Sequence, residues 1–292
     1  MKADHFYTIG DTHDVCQDFA YSTILSGGIG VAAIADGCSS SQMLGGLTDV
    51  GARCLTLAAF LCIKRNCLLT SSLSTFEKKY FNGCQEKLGK ETFHLVKRNE
   101  FYYSIPALSM DSTLLLTVAN SKEGFVFCYG DGIVHIEYKN GVKEFHIISY
   151  TSGAPYYLSY TADISRDKMY ASLGDGKLIH TICQYGDTTE ACTINHKELD
   201  IPTDNHSNLY IFSSFKVENF RTISVMSDGF SSFLDENNKE YSFQDIALSN
   251  SLSYKNNVGV FVQRRMKKFL NVLKKRSISH YDDLSIAALI SE

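Results

Sequence analysis

Twice in this chain an apolar run halts at the dipeptide Asp-Gly, in Val31-Ala-Ala-Ile-Ala-Asp36-Gly37 and again in Ile223-Ser-Val-Met-Ser-Asp228-Gly229. Two further acids stand at the mouths of apolar segments: Asp18 opens Phe19–Leu25, and Asp282-Asp283 opens Leu284–Ile290. Short apolar runs bounded by turn formers are strand signals. A carboxylate at a strand end has a commonplace explanation, since Asp-Gly is a favoured pair for a tight hairpin. That explanation suits Gly130-Asp131-Gly132, which lies between the strand signals Gly124–Tyr129 and Ile133–Tyr138. It suits Asp36 and Asp228 less well, because Cys38-Ser-Ser-Ser and Phe230-Ser-Ser-Phe follow them instead of a partner strand. Strands that end together bring their acids to one rim, where mutual repulsion raises each pKa unless cations neutralise it. Oxygen donors of this kind favour Mg²⁺ or Mn²⁺ over Zn²⁺. Spacing alone leaves the turn reading and the metal reading both open.

The remainder of the chain sets the frame for those strands. Its 292 residues contain only 3 prolines and no Gly/Ser-rich or charge-rich linker, so a single domain over 1–292 is expected. A hydrophobic fraction of 44% supports a sizeable core. Phe19–Leu25 and Gly30–Ala35 flank Ser26-Gly27-Gly28 and read as a hairpin. A helix is expected over Thr48–Arg65, burying Val50, Cys54, Leu57, Ala58 and Leu61. A second starts at Ser74 on a capping box, Ser74-Thr-Phe-Glu77, with Phe76, Tyr80, Cys84 and Leu88 four apart. Strands are read at Thr113–Val118, Asn208–Phe212 and Thr222–Met226, and residues 141–207 hold short strands and polar loops. A long helix over Asn257–Lys275 precedes the last strand. Strand runs without βαβ alternation imply antiparallel sheets with helices packed outside them.

Several function classes are disfavoured. The net charge of -4 argues against phosphate-backbone binding, so no nucleic-acid partner is expected. The one dense basic stretch, Arg264 to Arg276, carries apolar residues at helical spacing and reads as an amphipathic surface helix. The 9 cysteines form no CxxC pair and suggest neither a zinc site nor a disulfide framework. That cysteine usage, the absence of a signal-like leader and the lack of a long apolar run point to a cytoplasmic protein without a membrane partner. Signal-independent export would leave the same pattern, and a monomer is favoured.

Read in order, these motifs resemble the type 2C metal-dependent protein serine/threonine phosphatases, in particular a bacterial branch with a Gly-x-x-His start and a Cys-Gln-Asp motif. The matching stretches are Gly10-Asp-Thr-His13, Cys16-Gln17-Asp18, Ala35-Asp36-Gly37-Cys38, Asp49-Val-Gly51-Ala52-Arg53, Ser112-Thr113, Tyr129-Gly130-Asp131-Gly132, Met226-Ser-Asp228-Gly229 and His280-Tyr-Asp282-Asp283-Leu-Ser285. The resemblance implies an α+β fold, a four-layer αββα sandwich of two stacked antiparallel β-sheets flanked by helices. It implies two Mn²⁺ or Mg²⁺ ions, with Asp36 bridging both, the Gly37 carbonyl completing the second, Asp228 and Asp282 holding the first, and Asp18 reaching metal-bound water. Asp283 takes at most a supporting role. Asp131 matches the position that in some members holds a third metal.

The activity implied is hydrolysis of phosphoserine and phosphothreonine in a phosphoprotein substrate by a hydroxide that bridges the two metals. Asp36, Asp228, Asp282 and His13 are the expected catalytic set. Two positions depart from the best-known members: Cys38 stands where they have a His after Asp-Gly, and His13 where they have a phosphate-gripping Arg. His13 is therefore a candidate acid or phosphate contact, against a purely structural role in its loop. The competing function is a weak or inactive pseudophosphatase that binds phosphoproteins. Intact acids at the three primary positions favour the enzyme, because carboxylates massed without a cation are costly.

Overall fold

The computed structural model describes residues 1–70, 73–82, 86–172, 177–185, 193–200, 212–241, 252–254 and 256–291. Its strands form two antiparallel sheets. The five-stranded sheet runs in the order β10 (Phe212–Glu218), β5 (Glu123–Tyr129), β4 (Leu114–Ala119), β3 (Gly30–Ala35), β2 (Phe19–Ile24). The seven-stranded sheet runs β1 (Lys2–Thr8), β14 (Leu284–Ile290), β11 (Phe220–Met226), β6 (Gly132–Tyr138), β7 (Lys143–Tyr150), β8 (Lys177–Tyr185), β9 (Thr193–Asp200). A small ribbon pairs β12 (Phe233–Asp235) with β13 (Ile278–His280).

Side-chain alternation explains the layers. Ala32, Ile34, Leu115, Val126 and Cys128 of the five-stranded sheet meet Val134, Ile136, Ile223, Val225, Ala287 and Leu289 of the other in one core between the sheets. The opposite face of the five-stranded sheet, with Val31, Leu114, Leu116 and Phe127, is covered by α2 (Thr48–Thr70), α3 (Leu73–Phe76) and α4 (Glu86–Tyr103). The outer face of the seven-stranded sheet packs Ile133, Met226, Ile286 and Ala288 against Phe261, Val262, Met266 and Phe269 of α6 (Phe261–Lys274). The order helices, sheet, sheet, helix is the expected αββα sandwich. Among the described residues no helix is long and apolar enough to cross a membrane.

Several local expectations are corrected. Gly130-Asp131-Gly132 is not a hairpin: β5 and β6 lie in different sheets, and the glycines, at φ +96° and +137°, carry the chain from one to the other. α2 continues five residues past Arg65, and its buried face is Ala52, Leu55, Ala58, Ala59, Cys62 and Ile63. Leu57 and Leu61 are 41% and 44% exposed. Ser74 lies inside α3 instead of capping a helix, and that segment continues into a π-turn at Glu77–Phe81. Phe76, Tyr80 and Leu88 are buried as expected, while Cys84 is outside the described residues. α6 starts at Phe261, not Asn257, because Gly259 at φ +62° breaks the helical path. The strand expected at Asn208–Phe212 lies outside the described residues except for Phe212, which begins β10. β1 was not anticipated.

Candidate active site

Antiparallel pairing brings the acid-bearing strand ends to one rim. Phe19 pairs with Ala35, so Asp18 before β2 and Asp36 after β3 are neighbours. Ile34 pairs with Leu115, and Leu114 with Tyr129, which adds the start of β4 and the end of β5 to that rim. In the other sheet, Met226 pairs with both Ile133 and Ile286, and Thr8 pairs with Leu284. Asp228 and Asp282 therefore leave the seven-stranded sheet beside Asp18 and Asp36 of the five-stranded one, with Asp131 at the crossing between sheets.

The electrostatics records this convergence. Burial lifts the pKa of Asp36 well above its ordinary value, and the charges of Asp18, Asp228 and Asp282 raise it further. Burial likewise pushes Asp131 up to about 7, with Asp228 and Asp282 adding to the effect. Asp282 is raised by burial and by Asp228, with His13 and the backbone of Asp283 opposing. Asp18 is pushed up to about 7, chiefly by burial, although Ser227, Asp36 and Ser285 stand close enough to offset part of the rise. Asp18 is 1% exposed, and neither of its side-chain oxygens has an aligned hydrogen-bond donor. A buried carboxylate with two unpartnered oxygens is costly unless a positive group faces it.

The donor set is oxygen only, which fits a hard divalent cation with retained water. Among the described residues no three His, Cys, Asp or Glu side chains close on a common point. The acids line a rim, with Asp18 buried, Asp36, Asp131 and Asp282 half-buried and Asp228 exposed.

Glycines make the close approach possible. A Cβ on Gly229 would stand 1.9 Å from the carbonyl oxygen of Asp283, and one on Gly10 would stand 2.4 Å from the carbonyl oxygen of Tyr281. The Asp-Gly at 228–229 is thus glycine for backbone packing, not for a hairpin.

His13 lies on the flank of this rim. Its Nε2 is 3.7 Å from Asp282 Oδ1 and its Nδ1 is 3.1 Å from Asp283 Oδ2. Asp283, buried, also accepts hydrogen bonds from the backbone N–H groups of Gly10 at 2.7 Å and Gln17 at 2.5 Å. Asp11 and Thr12 donate backbone N–H groups to the carbonyls of His280 and Tyr281. The loop between β1 and β2 is therefore tied down along the segment that carries Asp282.

Cys38 follows Gly37 at the rim, with its Sγ 3.0 Å from Ser40 Oγ. Burial raises its pKa, but contacts with Ser40, Tyr157 and Ser41 outweigh burial and the net shift is downward. Cys16 is pushed up to about 12 by burial and by Asp283 and Asp18, which makes it an inert thiol. Ser227 and Ser285 fall inside the matching stretches without a role assigned to them, and they bond to each other across adjacent strands. Tyr157 carries no sequence signal and becomes visible only in the fold.

A family profile described as protein phosphatase 2C matches residues 10–271. No curated protein matches the chain. Among solved structures, the serine/threonine phosphatase Stp1 from Staphylococcus aureus is similar over 100% of this chain and 96% of its own, at 13% identity and a TM-score of 0.52. A bacterial serine phosphatase carrying a point mutation is similar over 100% and 98%, at 12% identity and a TM-score of 0.54. The serine/threonine phosphatase of S. agalactiae is similar over 100% and 99%, at 12% identity and a TM-score of 0.50. At these identities the likeness is one of fold.

Proposed function

Because the chain belongs to the protein phosphatase 2C family, we propose that it hydrolyses phosphoserine and phosphothreonine in a protein substrate at the acid rim, using two Mn²⁺ or Mg²⁺ ions. Asp36, Asp228 and Asp282 with the Gly37 carbonyl would hold them, and Asp18 would serve from behind. The observation that carries this reading is the convergence of acids from both sheets, in which Asp36 feels Asp18, Asp228 and Asp282 together and the Asp18 carboxylate behind it is buried without an aligned hydrogen-bond donor. Bound divalent cations supply positive charge toward the phosphoryl oxygens and make water a nucleophile near neutral pH.

The protein's own groups do the rest. Asp18 stands next to Phe19, whose pairing with Ala35 sets it beside Asp36. His13, between Asp282 and Asp283, orients the Asp282 carboxylate. The Cys38 thiol and the Tyr157 hydroxyl beside it are the proton-bearing side chains next to Gly37 that would serve a leaving alkoxide. Asp131 adds a further carboxylate at the sheet crossing, suited to a third cation.

The test is hydrolysis of an aryl phosphate and of a phosphothreonine peptide with Mn²⁺, then with excess chelator. Turnover of both with Mn²⁺ and of neither after chelation is expected. Binding of Mn²⁺ and of the phosphopeptide without turnover would instead support the non-catalytic phosphoprotein-binding module. Full turnover in chelator would overturn the metal reading.

A further inference from the structure

The segment after β7 reaches the rim at Tyr157 and continues through a 3₁₀ turn, Leu158–Ala162, into the short helix α5 (Ile164–Ala171). On the opposite side the Asp36 loop runs into α1 (Ser39–Met43). One buried carboxylate joins them. Asp111, 1% exposed and three residues before β4, accepts from Ser159 Oγ at 2.6 Å on one oxygen. Its other oxygen accepts from Ser41 Oγ of α1 at 2.6 Å and from the Arg166 guanidinium of α5.

The backbone around Asp111 holds the Asp36 loop as well. Its carbonyl accepts the Cys38 N–H at 2.8 Å, Ser112 forms a bridge with Gly37, and the Thr113 N–H donates to the Asp36 carbonyl at 2.8 Å. Thr113 Oγ1 in turn accepts the Asp36 N–H at 3.2 Å. Arg166 also lies over the Tyr160 ring, 4.7 Å from its centroid. Tyr157, in the same segment, reaches the Cys38 thiol. A planar guanidinium against a buried carboxylate is a directional tie, and removing either partner leaves a buried charge uncompensated.

Resting on the phosphatase reading above, we propose that Asp111 is a positioning residue that locks the Asp36–Ser41 loop to the 157–166 segment, making the two walls of the site one rigid unit. Asp111 touches none of the rim acids; it acts through Cys38, Ser41 and Arg166. The two halves of the lock are separable. Arg166 ties only the overlying segment, whereas the Asp111 carboxylate ties that segment and α1 together.

The experiment compares Asp111→Asn, Arg166→Met and Arg166→Lys in the full chain, by amide hydrogen exchange over α1 and α5, by Mn²⁺ calorimetry and by peptide kinetics. Arg166→Met should speed exchange in α5 at least tenfold and leave α1 unchanged. It should raise the KM for a phosphothreonine peptide several-fold while kcat and Mn²⁺ affinity stay within twofold. Arg166→Lys should recover part of the KM. Asp111→Asn should speed exchange in both helices and weaken Mn²⁺ binding about tenfold, the range typical of groups behind a ligand. Native-like exchange in α5 of Arg166→Met, or native-like α1 exchange and Mn²⁺ affinity in Asp111→Asn, would overturn the proposal. If Asp111→Asn does not fold, Ser41→Ala separates the α1 half of the lock in its place, and unchanged α1 exchange there would count against the proposal. If the native chain binds no Mn²⁺, the phosphatase reading fails while the exchange pattern still decides the role of Asp111.

Discussion

The imidazole of His13 stands 3.1 Å from the buried carboxylate of Asp283, and through its other nitrogen it faces Asp282 at 3.7 Å. One side chain thus lies within ion-pair distance of both the rim residue and the residue behind it. His13→Ala should lower kcat several-fold on aryl phosphate and peptide alike and weaken Mn²⁺ binding, because Asp282 loses its orienting partner. A loss on the peptide alone, with the aryl phosphate unaffected, would assign His13 the leaving-group proton instead.

Asp283→Asn should be the more damaging change to the fold. It removes the charge that accepts the Gly10 and Gln17 N–H groups. An amide can turn only one oxygen toward two donors, so a loss of about 2–4 kcal/mol is expected in urea unfolding. Unfolding within about 0.5 kcal/mol of native would show that the β1–β2 loop is anchored by other contacts.

The raised acids give a pH signature. Asp18 and Asp131 are pushed up to about 7 in the folded chain from an ordinary value of 3.8. The native state therefore holds protons that the unfolded chain has lost, and stability must fall as pH rises from about 4 through 7. In metal-free protein the melting temperature should decline from about pH 4 to pH 7 and level off above, once other titrations are compared through Asp18→Asn. Saturating Mn²⁺ should flatten that slope, since cations favour the charged form. A slope that Mn²⁺ leaves unchanged would separate these acids from any metal site.

Asp36→Asn and Asp228→Asn should each lower kcat by more than about a hundredfold, beyond the range usual for groups that only support a ligand. Metal-free Asp36→Asn should melt about 2–4 °C higher if relief of repulsion is worth about 1 kcal/mol. Calorimetry that still shows two tight ions in Asp36→Asn would remove its bridging assignment.

Gly229→Ala tests the packing of the rim without touching a carboxylate. The added methyl would meet the Asp283 carbonyl at 1.9 Å. Backbone has to move, so a destabilisation of about 1–3 kcal/mol with weakened Mn²⁺ binding is expected. Wild-type affinity would mean that the position of Asp282 tolerates a shift of its own backbone.

What the amino-acid order disclosed, and what it hid, divides along a physical line. β3 and β14 were legible to the residue because their apolar runs are bounded by acids, Asp36 after the first and Asp282-Asp283 before the second. β5 and β6 were legible as strands, but not their separation into different sheets. Which partner a strand takes is decided by the core between the sheets, and Asp131 between glycines looks locally like any hairpin. β1 was missed because Asp4 and His5 break its pattern. Asp4 is satisfied at long range, accepting the Val262 and Gln263 N–H groups at the start of α6. The rim acids were found from their strand ends. Asp111 was not, since a lone buried polar residue has no periodicity.

Asp18 and Asp36 flank strands of one sheet, Asp228 and Asp282 strands of the other, and alanines such as Ala32 and Ala287 lie among the larger side chains of the layer between. The spacing of the acids is thus a gauge of how the sheets are seated on each other. A substitution that slides or lifts one sheet by a fraction of an ångström, such as Ala287→Val deep in that layer, would alter the spacing of all four acids at once. Variants of this kind would score in a screen as catalytic defects although they lie in the sandwich interior and leave every acid in place.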